Sequence, residues 1–198
     1  MSWDELVDVD ITVSARSLLG AGLSANGVTV RLTEVEAYAG TGEDAASHAH
    51  RGRTPRNAIM FGPAGFAYVY FTYGMHWCLN VVCGPDGVAQ AVLLRAAEVV
   101  DGIDVARSRR PAAAHDRDLA RGPARLASVL GIDRSAYGTN MLDGSGPLLL
   151  RRPSVVVEPA RIVAGPRVGV TGALDRQWRF WIDGDPTVSP YRRHVPRV

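Results

Sequence analysis

Asn26-Gly27-Val28-Thr29-Val30-Arg31-Leu32-Thr33-Glu34-Val35-Glu36-Ala37-Tyr38 is the stretch on which the fold class turns. Asn-Gly is a preferred pair for a two-residue hairpin turn, because both central residues need positive φ. Behind it lies Ala21-Gly22-Leu23 and ahead a β-branched run that continues to Tyr38, so the segment predicts an antiparallel hairpin with a long second strand. Working outward, Thr12 to Leu19 has helical spacing and stops at Gly20, a C′ glycine. Gly40 to His50 reads as a loop with a short helical turn, and Thr54-Pro55 has the order of a helix start. Phe66 to Phe71 and His76 to Val82 form a second hairpin pair, split by Thr72-Tyr73-Gly74-Met75. A further strand spans Val88 to Ala97, and Gly122-Pro123 opens a helix over Ala124 to Leu130, closed by Gly131. Arg107 to Arg121 reads as a mobile surface loop, with strands returning at Leu148 to Leu150, Arg161 to Val170 and Trp178 to Ile182. Strands outnumber helices without regular alternation, which favours an α+β domain with a largely antiparallel sheet.

Composition narrows the class. The 198 residues are 46% hydrophobic and 21% charged, ordinary for one folded domain spanning 1–198 and unlike a disordered, fibrous or coiled-coil chain. The start, Met1-Ser2-Trp3-Asp4-Glu5, is acidic and lacks the basic and apolar regions of a signal peptide. No apolar run approaches the roughly 18 residues that span a bilayer, so the expectation is an intracellular, cytoplasmic protein without membrane contact. Cys78 and Cys83, an odd number of residues apart, would point to opposite faces of one strand and could not bridge. The net charge of +2 does not by itself signal nucleic acid. All 22 basic residues are arginine, which suits bidentate phosphate contacts and equally fits a codon bias toward arginine.

Several residues stand out from an ordinary core. Uninterrupted alternation would place Val30, Leu32, Glu34, Glu36 and Tyr38 on one face, the apolar start implying an inward side. The carboxylates there either reach solvent, pair with arginine, or include a general base at a strand end. Tyr73 sits at a hairpin tip, where it either folds back on the sheet or stands out as a wedge able to enter a base stack. Tyr68 and Tyr70 share a strand face with Phe66, as an aromatic core or as a stacking slot. Arg53 and Arg56 are candidates for phosphate contact, with a solvated loop as the ordinary alternative. His48, His50 and His76 match no zinc spacing with Glu36 or Asp44, so no metal or cofactor is expected.

Taken together, Arg31 to Tyr38, Arg53-Thr54-Pro55-Arg56-Asn57, Tyr68 to Met75, Asn80 and Leu93-Leu94-Arg95-Ala96 resemble the alkyladenine (3-methyladenine) DNA glycosylase family. A later match takes in Ala164 to Val170 and Trp178-Arg179-Phe180. The resemblance implies a compact α+β domain with a curved antiparallel sheet, flanking helices and a protruding hairpin that enters the DNA minor groove. It implies a monomer acting on double-stranded DNA that contains damaged purines. Glu36 resembles the family's water-activating base, and Arg95 the arginine beside it. Tyr38, Tyr70 and His48 resemble the base-pocket walls, with His50 the rival to His48, and Asn80 the residue that crowds guanine's exocyclic amine. Tyr73 resembles the intercalating wedge. Without lysine, only a terminal amine could form the Schiff base that strand-cutting glycosylases use, so simple hydrolysis is expected.

Overall fold

The computed structural model describes residues 3–191; the ends of the expected 1–198 domain lie outside the described residues. A short helix α1 (Ile11–Ser17) is N-capped by the Asp10 carboxylate, which accepts from the Thr12 N–H at 2.9 Å. The Asn26-Gly27 turn then joins β1 (Gly22–Ala25) to the eleven-residue β2 (Val28–Tyr38), with Ala25 paired to Val28. The second hairpin is β3 (Ala67–Thr72) and β4 (His76–Val82), followed by β5 (Ala91–Asp101). Helices α2 (Ile103–Arg109) and α3 (Pro123–Val129) come next, then β6 (Leu148–Arg151), β7 (Ile162–Gly165) and β8 (Arg179–Ile182).

All strand pairs are antiparallel, in the order β3-β4-β5-β2-β1-β6, with β8 joining β2 beyond the end of β1 and β7 pairing β8. The result is a curled sheet with three α-helices among the described residues, an α+β fold. No helix among them is long and apolar enough to cross a membrane. One sheet face, with Val35, Ala37, Val69, Leu79, Val81, Val92 and Leu94, packs with Leu126, Ala127 and Val129 of α3 and Ile11 and Ala15 of α1 into the main core. Each buried leucine there contributes about 1.5–3 kcal/mol. The other face carries the alternate residues of the same strands.

The alternation along β2 is broken. Leu32 pairs with Ala97, Glu34 with Ala96 and Val35 with Leu94, so Thr33 is an extra residue on β2 and Arg95 one on β5. Val30 and Leu32 therefore share the main core with Val35 and Ala37, while Glu34, Glu36 and Tyr38 turn to the opposite face. This corrects the single-face expectation. Paired bulges re-aim side chains without breaking the sheet.

Other boundaries also moved. No α-helix starts at Thr54-Pro55; a turn there leads to a 3-10 segment over Ala58–Phe61, because Asn57 folds back and accepts from the Thr54 N–H at 2.7 Å. The strand expected from Val88 begins at Ala91, since Pro85 to Gln90 form the β4–β5 connection. The strand expected over Arg161 to Val170 stops at Gly165. The Arg107–Arg121 segment is not a bare loop. Its start completes α2, Arg109 donates to Val129 O and Asn26 O, and Leu119 and Ala120 are buried. Gly102, at φ +73, lets α2 begin against the first hairpin turn, where a side chain would collide with the Gly27 carbonyl oxygen.

Candidate active site

The sheet face that carries Glu36 and Tyr38 holds a cleft of about 440 Å³, with Pro123 and Ala124 at the start of α3 on its border. β2 brings Glu36 and Tyr38 to it, β3 brings Tyr68 and Tyr70, β4 brings Cys78 and Asn80, and β5 brings Leu93 and Arg95. The 40–50 loop adds Ala45, Ala46 and His48, and the segment after β7 adds Val168 to Thr171. Glu36, Tyr38, His48, Tyr70, Tyr73, Asn80 and Arg95, seven residues singled out in the sequence, thus border one space. Arg53 and Arg56 do not line it. Both are exposed, Arg56 5.5 Å above the ring of the cleft residue Tyr70 and Arg53 6.0 Å above that of Phe61, which lies outside the lining.

Glu36 is fully buried and held by three donors. The Tyr38 hydroxyl donates to Oε2 at 2.9 Å, Arg95 Nη1 to the same oxygen at 3.3 Å, and the Val168 N–H to Oε1 at 2.7 Å. Burial, and then the Glu36 charge, push the Tyr38 phenol well above its ordinary value, so it stays a donor. Glu34 is enclosed instead. It accepts from Arg95 Nε at 2.9 Å, Arg179 Nε at 2.7 Å, and the Ser189 N–H and Oγ at 2.7 and 3.0 Å. Burial disfavours the charge of Arg95, but Glu36 and Glu34 outweigh it and raise its pKa, so the guanidinium is permanently charged.

His48 stands at the mouth, 4.6 Å from Tyr70 and 5.9 Å from Tyr68 between ring centroids, both edge-on. Its Nδ1 lies 2.8 Å from the Tyr68 hydroxyl. Although the residue as a whole is exposed, packing of its ring against two tyrosines and the nearby Arg56 charge lower its pKa, so it is neutral near pH 7. His50 does not line the cleft. Asn80 donates through Nδ2 to Tyr68 O at 2.9 Å. Tyr73 is 80% exposed and sits at φ +52, next to Gly74 at φ +67. A bulky residue with φ above zero is strained, and here it holds an aromatic ring away from the sheet. Cys78 and Cys83 are both buried free thiols.

Sequence reading missed Tyr68 as a partner of His48, the Val168 N–H, and the ion pair of Arg167 with Asp44. Tyr68 had a signal in its alternation with Tyr70. Val168 had none, since a backbone donor carries no residue identity.

The cleft thus combines a buried carboxylate with an aromatic lining, and an exposed aromatic stands on the neighbouring turn. The sequence model of the methylpurine-DNA glycosylase family matches residues 5–186. The chain belongs to that family. A Nocardia farcinica relative, provisionally named a 3-methyladenine DNA glycosylase, is 56% identical over 198 residues, covering 98% of this chain and 92% of its own. Relatives with the same provisional name from Streptomyces avermitilis and Mycolicibacterium paratuberculosis are 54% and 49% identical, over 86% and 93% of this chain and 80% and 90% of theirs. This methylpurine-DNA glycosylase family member is a hydrolase acting on N-glycosyl bonds, and its substrate is DNA.

Proposed function

We propose that this glycosylase flips alkylated or deaminated purines from duplex DNA and hydrolyses their N-glycosidic bond with a water activated by Glu36. The placement of the Glu36 carboxylate at the cleft wall, fixed by three donors, carries the reading. Water attacks C1′ of the sugar, Glu36 takes its proton, and the purine leaves with the bonding electrons, so an abasic strand remains. Positive charge grows on the sugar in this step, and the same carboxylate opposes it. A purine alkylated at N3 or N7 is already cationic and departs without a strong acid. One carboxylate is therefore sufficient, and Glu34, sealed among two arginines and Ser189, is unavailable for the task.

Tyr38, Tyr70 and His48 form the slot for the extruded base, and Asn80 its far wall. His48 Nδ1 and the Tyr68 hydroxyl lie 2.8 Å apart; in the tautomer where the hydroxyl donates, the imidazole proton sits on Nε2, facing the base. Tyr73 fills the gap in the stack from the minor groove. Arg53 and Arg56, both exposed, contact phosphates, and Arg95 steadies both Glu36 and the water. The substrates are 3-methyladenine and 7-methylguanine, which leave as cationic bases, and with them hypoxanthine and ethenoadenine, neutral purines whose departure needs a hydrogen bond or a proton at the purine, which His48 is placed to give. The absence of lysine favours hydrolysis over a Schiff-base route, with the protein working as a monomer in the compartment of the chromosomal DNA.

The test is base release from duplexes each carrying one of these lesions, with borohydride added in a parallel reaction. Release of free base without a trapped protein–DNA adduct is the expected result. No release from any lesion, or an adduct, would overturn it.

A further inference from the structure

Arg167 has no part in the steps above, yet both of its terminal nitrogens are engaged, while its buried Nε has no partner among the described residues. It is 3% exposed, and its Nη1 and Nη2 grip the two Asp44 oxygens at 2.6 and 2.8 Å. Nη1 also donates to the Ala37 carbonyl oxygen at 2.8 Å, and the guanidinium lies 4.7 Å over the Tyr38 ring. Burial opposes the charge of Asp44, but the Arg167 hydrogen bonds and charge outweigh it and hold the carboxyl below its ordinary value.

These partners reach two parts of the cleft, the β2 wall with Ala37 and Tyr38 and the loop of Asp44. Asp44 begins the loop that carries His48: its Oδ1 accepts from the Ala46 N–H at 3.1 Å and its backbone carbonyl from the Ser47 N–H at 2.9 Å. Its Oδ2 accepts from the Ala39 N–H at 3.2 Å, just past Tyr38. The residue after Arg167 is Val168, whose N–H holds Glu36. A single buried ion pair therefore joins the Tyr38 wall, the His48 loop and the segment that fixes the carboxylate.

We propose that Arg167 and Asp44 are positioning residues, a clamp that sets the spacing between Tyr38 and His48 and the aim of Glu36. The inference rests on the base slot assigned above. Arg167 occupies one face of the Tyr38 ring, so a purine can stack only on the other. The bidentate fork fixes the loop in register with that ring, which a point charge would do less well. A small error in the placement of a reacting group costs far more in rate than in binding.

Removing one partner leaves a buried charge alone and threatens the fold, whereas removing both spares it. The decisive variant is therefore the double change Asp44→Asn with Arg167→Met, alongside Arg167→Lys. Two quantities are read: affinity for a duplex holding a tetrahydrofuran abasic analogue, which does not fill the slot, and single-turnover base release at saturating enzyme on the lesion that the unmodified protein excises fastest. The clamp predicts abasic-analogue affinity within threefold of the unmodified protein, with base release at least 30-fold slower and partial recovery in Arg167→Lys. Base release within threefold, or an equal loss of affinity and rate, would overturn it. Failure of the functional reading itself would appear earlier, as no base release by the unmodified protein.

Discussion

Glu34 and Glu36 lie two residues apart on one strand, both with no exposed surface, yet their surroundings differ in kind. Four donors from Arg95, Arg179 and Ser189 close around Glu34 and leave no room for a ligand. Glu36 has three donors, and its remaining side is the cleft. Arg95 touches both, so one guanidinium bridges the enclosed carboxylate and the one that faces the cleft. Burial of a carboxylate thus says little about its role; what matters is whether every lone pair is spoken for.

The contrast gives ordered predictions. Glu36→Gln should slow base release by about 10³-fold or more, as expected on losing a positioned base, while lesion DNA is still bound. Single-turnover rates beside equilibrium binding check this, and a loss of less than tenfold would erase the distinction between the two glutamates. Glu34→Ala should instead cost stability, about 3–5 kcal/mol, because Arg95 and Arg179 lose a shared buried counter-charge. Denaturant unfolding measures it, and an unchanged midpoint would show the Glu34 cluster to be dispensable. Away from both, Tyr73→Ala should reduce excision by about 10- to 100-fold, the scale of one lost base-stacking contact of ~1–3 kcal/mol. Stability should stay within about 0.5 kcal/mol, since the residue is 80% exposed. Equal excision by the variant would remove the wedge.

The smallest effect is one of pH. His48 is protonated in the unfolded chain below about 6.5 but in the fold only near 4. Between those values the unfolded state binds more protons, so this residue's contribution is present above pH 6.5 and is lost as pH falls toward 4. Comparing unfolding midpoints of the unmodified protein and His48→Gln across pH 4 to 7 isolates it, because the other groups cancel. A variant with the same pH slope would show the ring to be solvated.

Most of the architecture was legible because hairpin turns and helix caps are local. Asn26-Gly27, Gly122-Pro123 and Gly131 each mark a boundary within a residue or two of where it falls. What escaped was non-local. The α2 helix is seven residues long with one buried side chain, too weak a pattern to announce itself, and it is held by Arg109 reaching Val129 and Asn26. Around the cleft, the residues with a distinctive chemistry in a distinctive run were found. Asp44 and Arg167 were not, since they lie 123 positions apart and meet only in the folded chain.

The order of turns and β-branched runs was enough to determine an antiparallel α+β fold, and the glutamates of β2 were visible as misfits in an apolar strand. Only the tertiary structure decided which way they face. The extra residues Thr33 and Arg95 reverse the alternation of β2 and β5 midway, sending Leu32 to the core and Glu36 to the cleft. A bulge is a property of two strands in register, and neither strand carries that register alone.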